Sequence, residues 1–207
     1  MYYTQNNEEQ IFLDYFKNDN PADLCLLDVG ANDGKTFSNS LRLIENGWSA
    51  ILLEPSPRAF QKLSNLHNSN LKVTCYPLAI SNTNGKVILR ESSSLITQDD
   101  IALVSSLKQE ETFKWMQSNV RFQEVEVMSM DFPSFYDVCP KKKFDLISID
   151  VEGFDYDVLS QIDLNLVGCR CLCVEFNGKN KDVFVNYVQK FGLKLISENP
   201  ENLIFVK

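Results

Sequence analysis

The chain has 207 residues, 44% of them hydrophobic and 23% charged. This composition excludes a fibre or a disordered tail and is enough to bury a core without staples. Lys and Arg number 20 against 28 Asp and Glu, a net charge of −8, which argues against a surface built to neutralise nucleic-acid phosphates; no nucleic-acid partner is expected.

The only basic run, Lys141-Lys142-Lys143, reads as a solvated turn. Residues Met1 to Glu9 are polar and lack the apolar stretch of a secretory signal, and nothing approaches the length of a membrane span. The six cysteines are therefore expected to be reduced and buried in a cytoplasmic protein. Cys169-x-Cys171-x-Cys173 lies along one strand, and such residues diverge poorly for tetrahedral metal binding, so core packing is the expectation.

Taken in chain order, residues 7–17 read as a helix with Ile11 or Phe12, Tyr15 and Phe16 on one face. Leu24 to Gly30 is an uninterrupted apolar run, the mark of a strand buried on both sides. A helix is expected from about Lys35, with Phe37, Leu41 and Ile44 in register and Gly47 closing it. Ala50 to Glu54 is the second strand. Ser56-Pro57 supplies a cap and a first-turn proline for a helix reaching His67, and Lys72 to Ile80 is the third strand. This β-α-β-α-β order demands a parallel sheet with right-handed crossovers.

The pattern then changes. Asn84-Gly85 signals a turn, Gly85 to Glu91 and Glu124 to Met130 alternate like half-exposed strands, and a short helix is expected around Glu110 to Met116. Residues 82–138 read as a cap inserted in a single domain. The alternation resumes with a strand from Phe144 to Asp150, a helix from Tyr156 to Ile162, a strand from Cys169 to Phe176 and a helix closed by Gly192. Two short strands, Leu193 to Glu198 and Leu203 to Val206, flank the Asn199-Pro200-Glu201-Asn202 turn. The expected fold is α/β and Rossmann-like: a mostly parallel sheet, helices on both faces and an antiparallel C-terminal strand.

In such sheets ligands sit beyond the carboxyl ends of the strands. Four strands end there in chemically informative residues: Gly30-Ala31-Asn32-Asp33-Gly34, Glu54-Pro55, Asp150-Val151-Glu152-Gly153 and Glu175-Phe176-Asn177. Gly30 and Gly34 permit tight turning, and Glu54, about twenty residues further on, stands where an acid accepts ribose hydroxyls. A nucleoside-containing cofactor follows. The dinucleotide fingerprint fails, because Asn32 and Lys35 occupy its second and third glycine positions. Gly34-Lys35-Thr36 resembles the end of a phosphate-binding P-loop, but the spacing is one residue short and Asp33 places an anion in the phosphate nest. S-adenosylmethionine carries a sulfonium, an ammonium and one carboxylate, and it suits a loop surrounded by acids.

The blocks Asp28-Val29-Gly30-Ala31-Asn32-Asp33-Gly34, Glu54-Pro55-Ser56, Pro77-Leu78-Ala79-Ile80-Ser81 and Ile149-Asp150-Val151-Glu152-Gly153, in this order, resemble the FkbM-type methyltransferases, class I enzymes that use S-adenosylmethionine. The resemblance implies that Gly30, Ala31, Asn32 and Gly34 line the methionine part of the cofactor. Asp28, Asp33, Phe37, Pro55 and Ser56 stand beside them, Glu54 holds the ribose, and Leu78 and Ala79 flank the adenine. Asp150 and Glu152 lie beside the sulfonium and the acceptor. Ser105-Ser106-Leu107 resembles a segment near the substrate entrance. Ser148 departs from the family, where many members carry Lys.

A hydroxyl acceptor requires loss of a proton, for which Asp150 and Glu152 are the candidates, Glu152 slightly preferred. The acceptor is expected to be a sugar, glycolipid or secondary metabolite, read by residues 82–138. A divalent cation on Asp150, Glu175 and Asn177 is the weaker alternative to a structural role for the last two, and no metal is assigned. His67 is expected at the surface or in a cap. Trp115 and Phe113 do not share a helix face and suggest no aromatic platform. Two other readings stay open: a non-catalytic module that binds S-adenosylmethionine, and a P-loop-type nucleotide-binding protein.

Overall fold

The structure is a computed structural model that describes residues 3–93, 102–116 and 120–207. Its centre is a seven-stranded sheet. In chain order the strands concerned are β1 (Cys25–Val29), β2 (Ser49–Leu53), β3 (Val73–Tyr76), β7 (Leu146–Ile149), β8 (Cys171–Glu175), β9 (Lys194–Glu198) and β10 (Asn202–Val206). They lie side by side as β3-β2-β1-β7-β8-β10-β9. β1, β7 and β8 are buried along their whole length, as their mainly apolar runs dictate, with Asp28, Ser148 and Glu175 as the polar members. β1 pairs in parallel with β2 (Leu27 opposite Ile51) and with β7 (Leu27 opposite Ile147), while β10 runs antiparallel to β8.

Alternation along the strands divides the core in two. Leu27, Ile51, Ile147 and Leu172 face α5 (Phe132–Val138), α6 (Asp155–Leu159) and α7 (Lys181–Val188). Leu26, Leu52, Leu146 and Cys173 face α1 (Glu8–Tyr15), α2 (Leu41–Glu45) and α3 (Pro57–His67). The result is the expected three-layered α/β fold. The cysteines are buried in these layers apart from the partly buried Cys75. Burial pushes the thiol of Cys169 up to about 12 and those of Cys25 and Cys75 to about 11, so all three stay protonated and pack as small hydrophobes.

A second sheet lies beside the first, in the order β4-β6-β5. It is formed by β4 (Ala79–Ile80), β5 (Gly85–Ser92) and β6 (Phe122–Met130), with α4 (Gln109–Met116) between β5 and β6. Within the 82–138 region, residues 94–101 and 117–119 lie outside the described residues. α5, at its end, packs Phe132 and Phe135 into the core.

Three expectations are corrected. The helix from Lys35 does not form; α2 begins only at Leu41. The Asp33 carboxylate accepts the backbone N–H groups of Lys35 and Thr36 at 2.9 and 2.7 Å, and Ser38 Oγ accepts those of Ser40 and Leu41 at 3.3 and 3.1 Å. Such local capping competes with helix, and Phe37 is left at a φ of 54°. The strand expected over Lys72 to Ile80 is split after Tyr76, with β3 in the first sheet and β4 in the second; Pro77 between them has no N–H for a ladder. His67 is buried, 6% exposed, and its Nε2 packs behind the Gly34 turn; burial pushes its pKa down.

Candidate active site

β1 lies between β2 and β7, so the order of the strands reverses there. Chain leaving β1 goes one way to β2, and the later half builds the other way, which opens a crevice at their carboxyl ends. A cavity of about 310 Å³ fills that crevice. Asp28, Gly30, Ala31, Asn32, Phe37, Glu54, Pro55, Leu78, Ala79, Asp150 and Glu152 all line it. Asp33, Gly34 and Ser56 lie off its wall and shape the elements behind it.

The first loop is set by backbone geometry. The N–H groups of Gly30 and Ala31 both donate to Leu53 O, at 2.9 and 3.0 Å. Gly30 has a φ of 94°, and a Cβ on it would stand 1.7 Å from the carbonyl oxygen of Asp150, so only glycine lets the loops after β1 and β7 meet. Gly34 is similarly pressed against Leu63, 2.6 Å from its would-be Cβ.

Glu54 is 6% exposed. Its Oε2 accepts the N–H of Asn32 at 2.9 Å and its Oε1 that of Ser56 at 2.7 Å. Burial, only partly opposed by these bonds, pushes its pKa up to about 7. Each oxygen keeps a lone pair for a ligand hydroxyl.

Asp33 does not face the cavity. Besides its two backbone N–H groups it accepts Thr36 Oγ1 at 2.9 Å on Oδ2. A P-loop would present those N–H groups and that hydroxyl to phosphate and magnesium. Here the chain's own carboxylate occupies them, and the phosphate-binding reading of Gly34-Lys35-Thr36 fails on geometry.

Beneath the loop, burial pushes the Asp28 carboxylate up to about 6, with hydrogen bonds from Ser40 and Ser148 acting the other way. Asn39 Nδ2 in turn donates to Ser148 Oγ at 3.1 Å. Ser148, the departure from the family pattern, thus belongs to a buried polar network.

The loop after β7 is held by Asp155. Its Oδ1 accepts Val151 N–H at 2.8 Å and its Oδ2 accepts Gly153 N–H at 2.9 Å. Glu152, between them, has a φ of 52°, and its carbonyl accepts Ser106 Oγ at 2.7 Å. Burial, then the Glu152 charge and further acids, hold Asp150 well above the ordinary carboxylate range. Carboxylate oxygens of Asp150, Asp155 and Glu175 lie within 4.8 Å of one another. Asp155 thus stands with Asp150 and Glu175, and Asn177, the third residue of the weaker cation reading, lines the same cavity.

The second sheet is tied to this site. Ser56 Oγ accepts Ala59 N–H as the cap of α3 and donates to Glu91 Oε1 at 2.5 Å, while Gln123 Nε2 donates to Glu91 Oε2 at 2.5 Å. Leu103 to Ser105, Leu107 and Trp115 close the wall above. At the other end stand Gln5, Asn177 and Glu201. Trp115, Gln5 and Glu201 were not legible as site residues, since no spacing links them to the strand ends.

A model of the methyltransferase FkbM domain matches residues 28–191. The 2-O-methyltransferase NoeI of Sinorhizobium fredii (strain NBRC 101917 / NGR234) is 26% identical over 161 residues, covering 75% of this chain and 64% of that protein. The chain thus spans less than two thirds of this relative. Among solved structures, the METTL16 MTase domain matches with a TM-score of 0.55 and 10% identity, over 96% of this chain and 65% of the other. Monomeric WbdD matches with a TM-score of 0.50 and 14% identity, over 98% of this chain and 41% of the other. At such identities the likeness shows the fold, the Rossmann-like fold of class I methyltransferases. By the extent of its domain match, the chain belongs to the FkbM methyltransferase family.

Proposed function

We propose that the protein transfers a methyl group from S-adenosylmethionine to a hydroxyl of a sugar, glycolipid or secondary metabolite. The observation that carries this reading is Glu54: a buried carboxylate, fixed by two backbone N–H groups, on the wall of a cavity at the reversal of strand order. That is the place and the chemistry for a ribose. When bound, S-adenosylmethionine would supply a methyl carried on a sulfonium, and the electron pair of the C–S bond would stay on sulfur as the acceptor oxygen takes the methyl.

The chain's own residues position and deprotonate. Leu78 and Ala79 offer an apolar wall to the adenine, Glu54 takes the ribose hydroxyls, and the Gly30–Asn32 loop takes the amino-acid end. Asp150, with Glu152 beside it, receives the hydroxyl proton as the oxygen attacks in line. The fit to a cationic cofactor rests on the acids Asp28, Glu54 and Asp150 around the loop.

Calorimetry with S-adenosylmethionine tests the reading. Binding is expected, weakened about tenfold or more in Glu54→Ala; no binding to the unaltered protein sinks the proposal. In a methyl-donor assay Glu152→Gln and Asp150→Asn are expected to lower turnover, Asp150→Asn more. Cofactor binding without transfer to any hydroxyl acceptor would favour the non-catalytic module instead.

A further inference from the structure

The turn after β7 carries Glu152 on the cavity wall at a φ of 52°. A residue with a side chain seldom adopts that left-handed backbone, and it persists where the surroundings over-determine it. On one side the turn is held by Asp155, which accepts the N–H groups of Val151 and Gly153. On the other side Ser106 Oγ donates to the Glu152 carbonyl at 2.7 Å.

Ser106 is built for that contact. It is 1% exposed. Ser105 and Leu107 line the cavity, while Ser106 between them is directed at the turn. Its N–H donates to Arg90 O at 3.1 Å, and its carbonyl accepts Arg90 N–H at 3.0 Å, so its backbone is joined to β5. Arg90 belongs to the ladder that pairs β5 with β6 from Gly85 to Ser92. Ser106 Oγ also accepts Lys108 N–H at 3.0 Å. That bond uses a lone pair and leaves the hydroxyl proton for Glu152. One hydroxyl thus ties the second sheet to the backbone of Glu152.

Neighbouring contacts keep the two surfaces in register without touching Glu152. Lys108 Nζ pairs with Asp157 of α6 at 2.7 Å. A Cβ on Gly153 would stand 2.4 Å from Glu111 Cγ of α4, so α4 lies directly on the turn. Loss of the Ser106 hydroxyl leaves both contacts in place and releases the Glu152 carbonyl.

The Glu152 charge raises Asp150, which marks the two carboxylates as close neighbours. With the ribose on Glu54 and the amino-acid end on the Gly30–Asn32 loop, the sulfur that joins these parts falls near the end of β1. β7 is the adjacent strand, about 4.8 Å away.

We infer that Ser106 is a positioning residue: by holding the Glu152 carbonyl it fixes the left-handed turn that presents the Glu152 carboxylate to the sulfonium. The inference rests on the proposed use of S-adenosylmethionine. It gives the second sheet a part in the electrostatics of transfer, through a residue that touches neither cofactor nor acceptor.

Calorimetry with S-adenosylmethionine and S-adenosylhomocysteine tests it. The two ligands differ by the methyl group and its positive charge on sulfur, so their affinity ratio reports charge near that sulfur and cancels what they share. Glu152→Gln is expected to shift the ratio toward S-adenosylhomocysteine by about fivefold. Ser106→Ala is expected to shift it the same way by about two- to threefold, and the double variant to go no further than Glu152→Gln alone. Ser92→Ala, which removes the acceptor of Val104 N–H in the same region, is expected to leave the ratio unchanged. If Ser106→Ala does not fold, Ser106→Cys, close in size and a much weaker donor, takes its place in the cycle. An unchanged ratio in the Ser106 variant, additive shifts in the double variant, or an equal shift in Ser92→Ala overturns the inference while the cofactor reading stands. Absence of S-adenosylmethionine binding to the unaltered protein refutes that reading, and this inference with it.

Discussion

Gly30 and Asp150 touch so closely that a single added methyl group on the former would lie 1.7 Å from the carbonyl oxygen of the latter. Gly30→Ala must therefore push the β1 and β7 loops apart, at a φ of 94° that alanine rarely adopts. We expect a loss of about 2–3 kcal/mol or more in stability and of measurable cofactor binding. Thermal melting and calorimetry check both, and a variant that binds like the unaltered protein would show that the two loops do not jointly form the site.

Asp155 holds the turn that carries Glu152. Its carboxylate is bonded to the N–H groups on either side of that residue. In Asp155→Asn one oxygen becomes an NH₂ that faces an N–H donor, and the turn loses a charge-assisted bond of about 1.5–3 kcal/mol. Turnover is expected to fall by about tenfold or more, with cofactor affinity nearly kept and Asp155→Glu recovering part of the rate. An equal loss in both quantities would mark Asp155 as a general stabiliser.

The acids also fix a pH dependence. Burial raises Glu54 to about 7 and Asp28 and Asp155 to about 6. Between roughly pH 4 and pH 7 the folded chain then holds more protons than the unfolded one, so these groups make stability fall as pH rises. For Glu54 alone the full effect is about 3 kcal/mol at most. Glu8 opposes them only at lower pH: burial raises it, but hydrogen bonds including those from Asn202 and Asn199 leave it below its ordinary value. The free protein is expected to melt lower at about pH 7.5 than at about pH 5. Stabilisation by S-adenosylmethionine should grow over the same interval, and more than that by S-adenosylhomocysteine, which has no sulfonium. A melting temperature that climbs throughout would refute the assignment of the buried acids.

Glu91 couples the second sheet to the first through Ser56, whose N–H is held by Glu54. Glu91→Ala leaves Ser56 Oγ and Gln123 without their shared acceptor. We expect a drop of about 2 kcal/mol in stability and a weaker hold on the cofactor, both visible in a thermal-shift titration. Unchanged cofactor affinity would show that the sheets act independently.

The central strands were legible because residues such as Leu26, Leu27, Ile147 and Leu172 form apolar runs that only a doubly covered sheet can bury. The α3 start at Ser56-Pro57 was legible from local chemistry, whereas Asn84-Gly85 closes no hairpin: Gly85 opens β5, and β4 pairs with β6 instead. The segment after Gly34 was misread because the helical spacing of Phe37, Leu41 and Ile44 competes with capping by Asp33 and Ser38, and spacing alone does not rank the two. Glu54 and Asp150 could be placed on the cavity wall because they end strands. Gln5, Trp115 and Glu201 reach the cavity through long-range packing, which no local pattern encodes.

The turn closed by Asp33 has a consequence for selectivity. ATP and the dinucleotides share an adenosine with the proposed cofactor and differ from it in their phosphates. Because Asp33 already fills the N–H nest that would receive a phosphate, the loop carries a built-in competitor that such nucleotides must displace, against its negative charge, before they can settle. A nucleotide phosphate therefore finds no open N–H nest in this turn, and the proposed cofactor, which has no phosphate, loses nothing by its being filled.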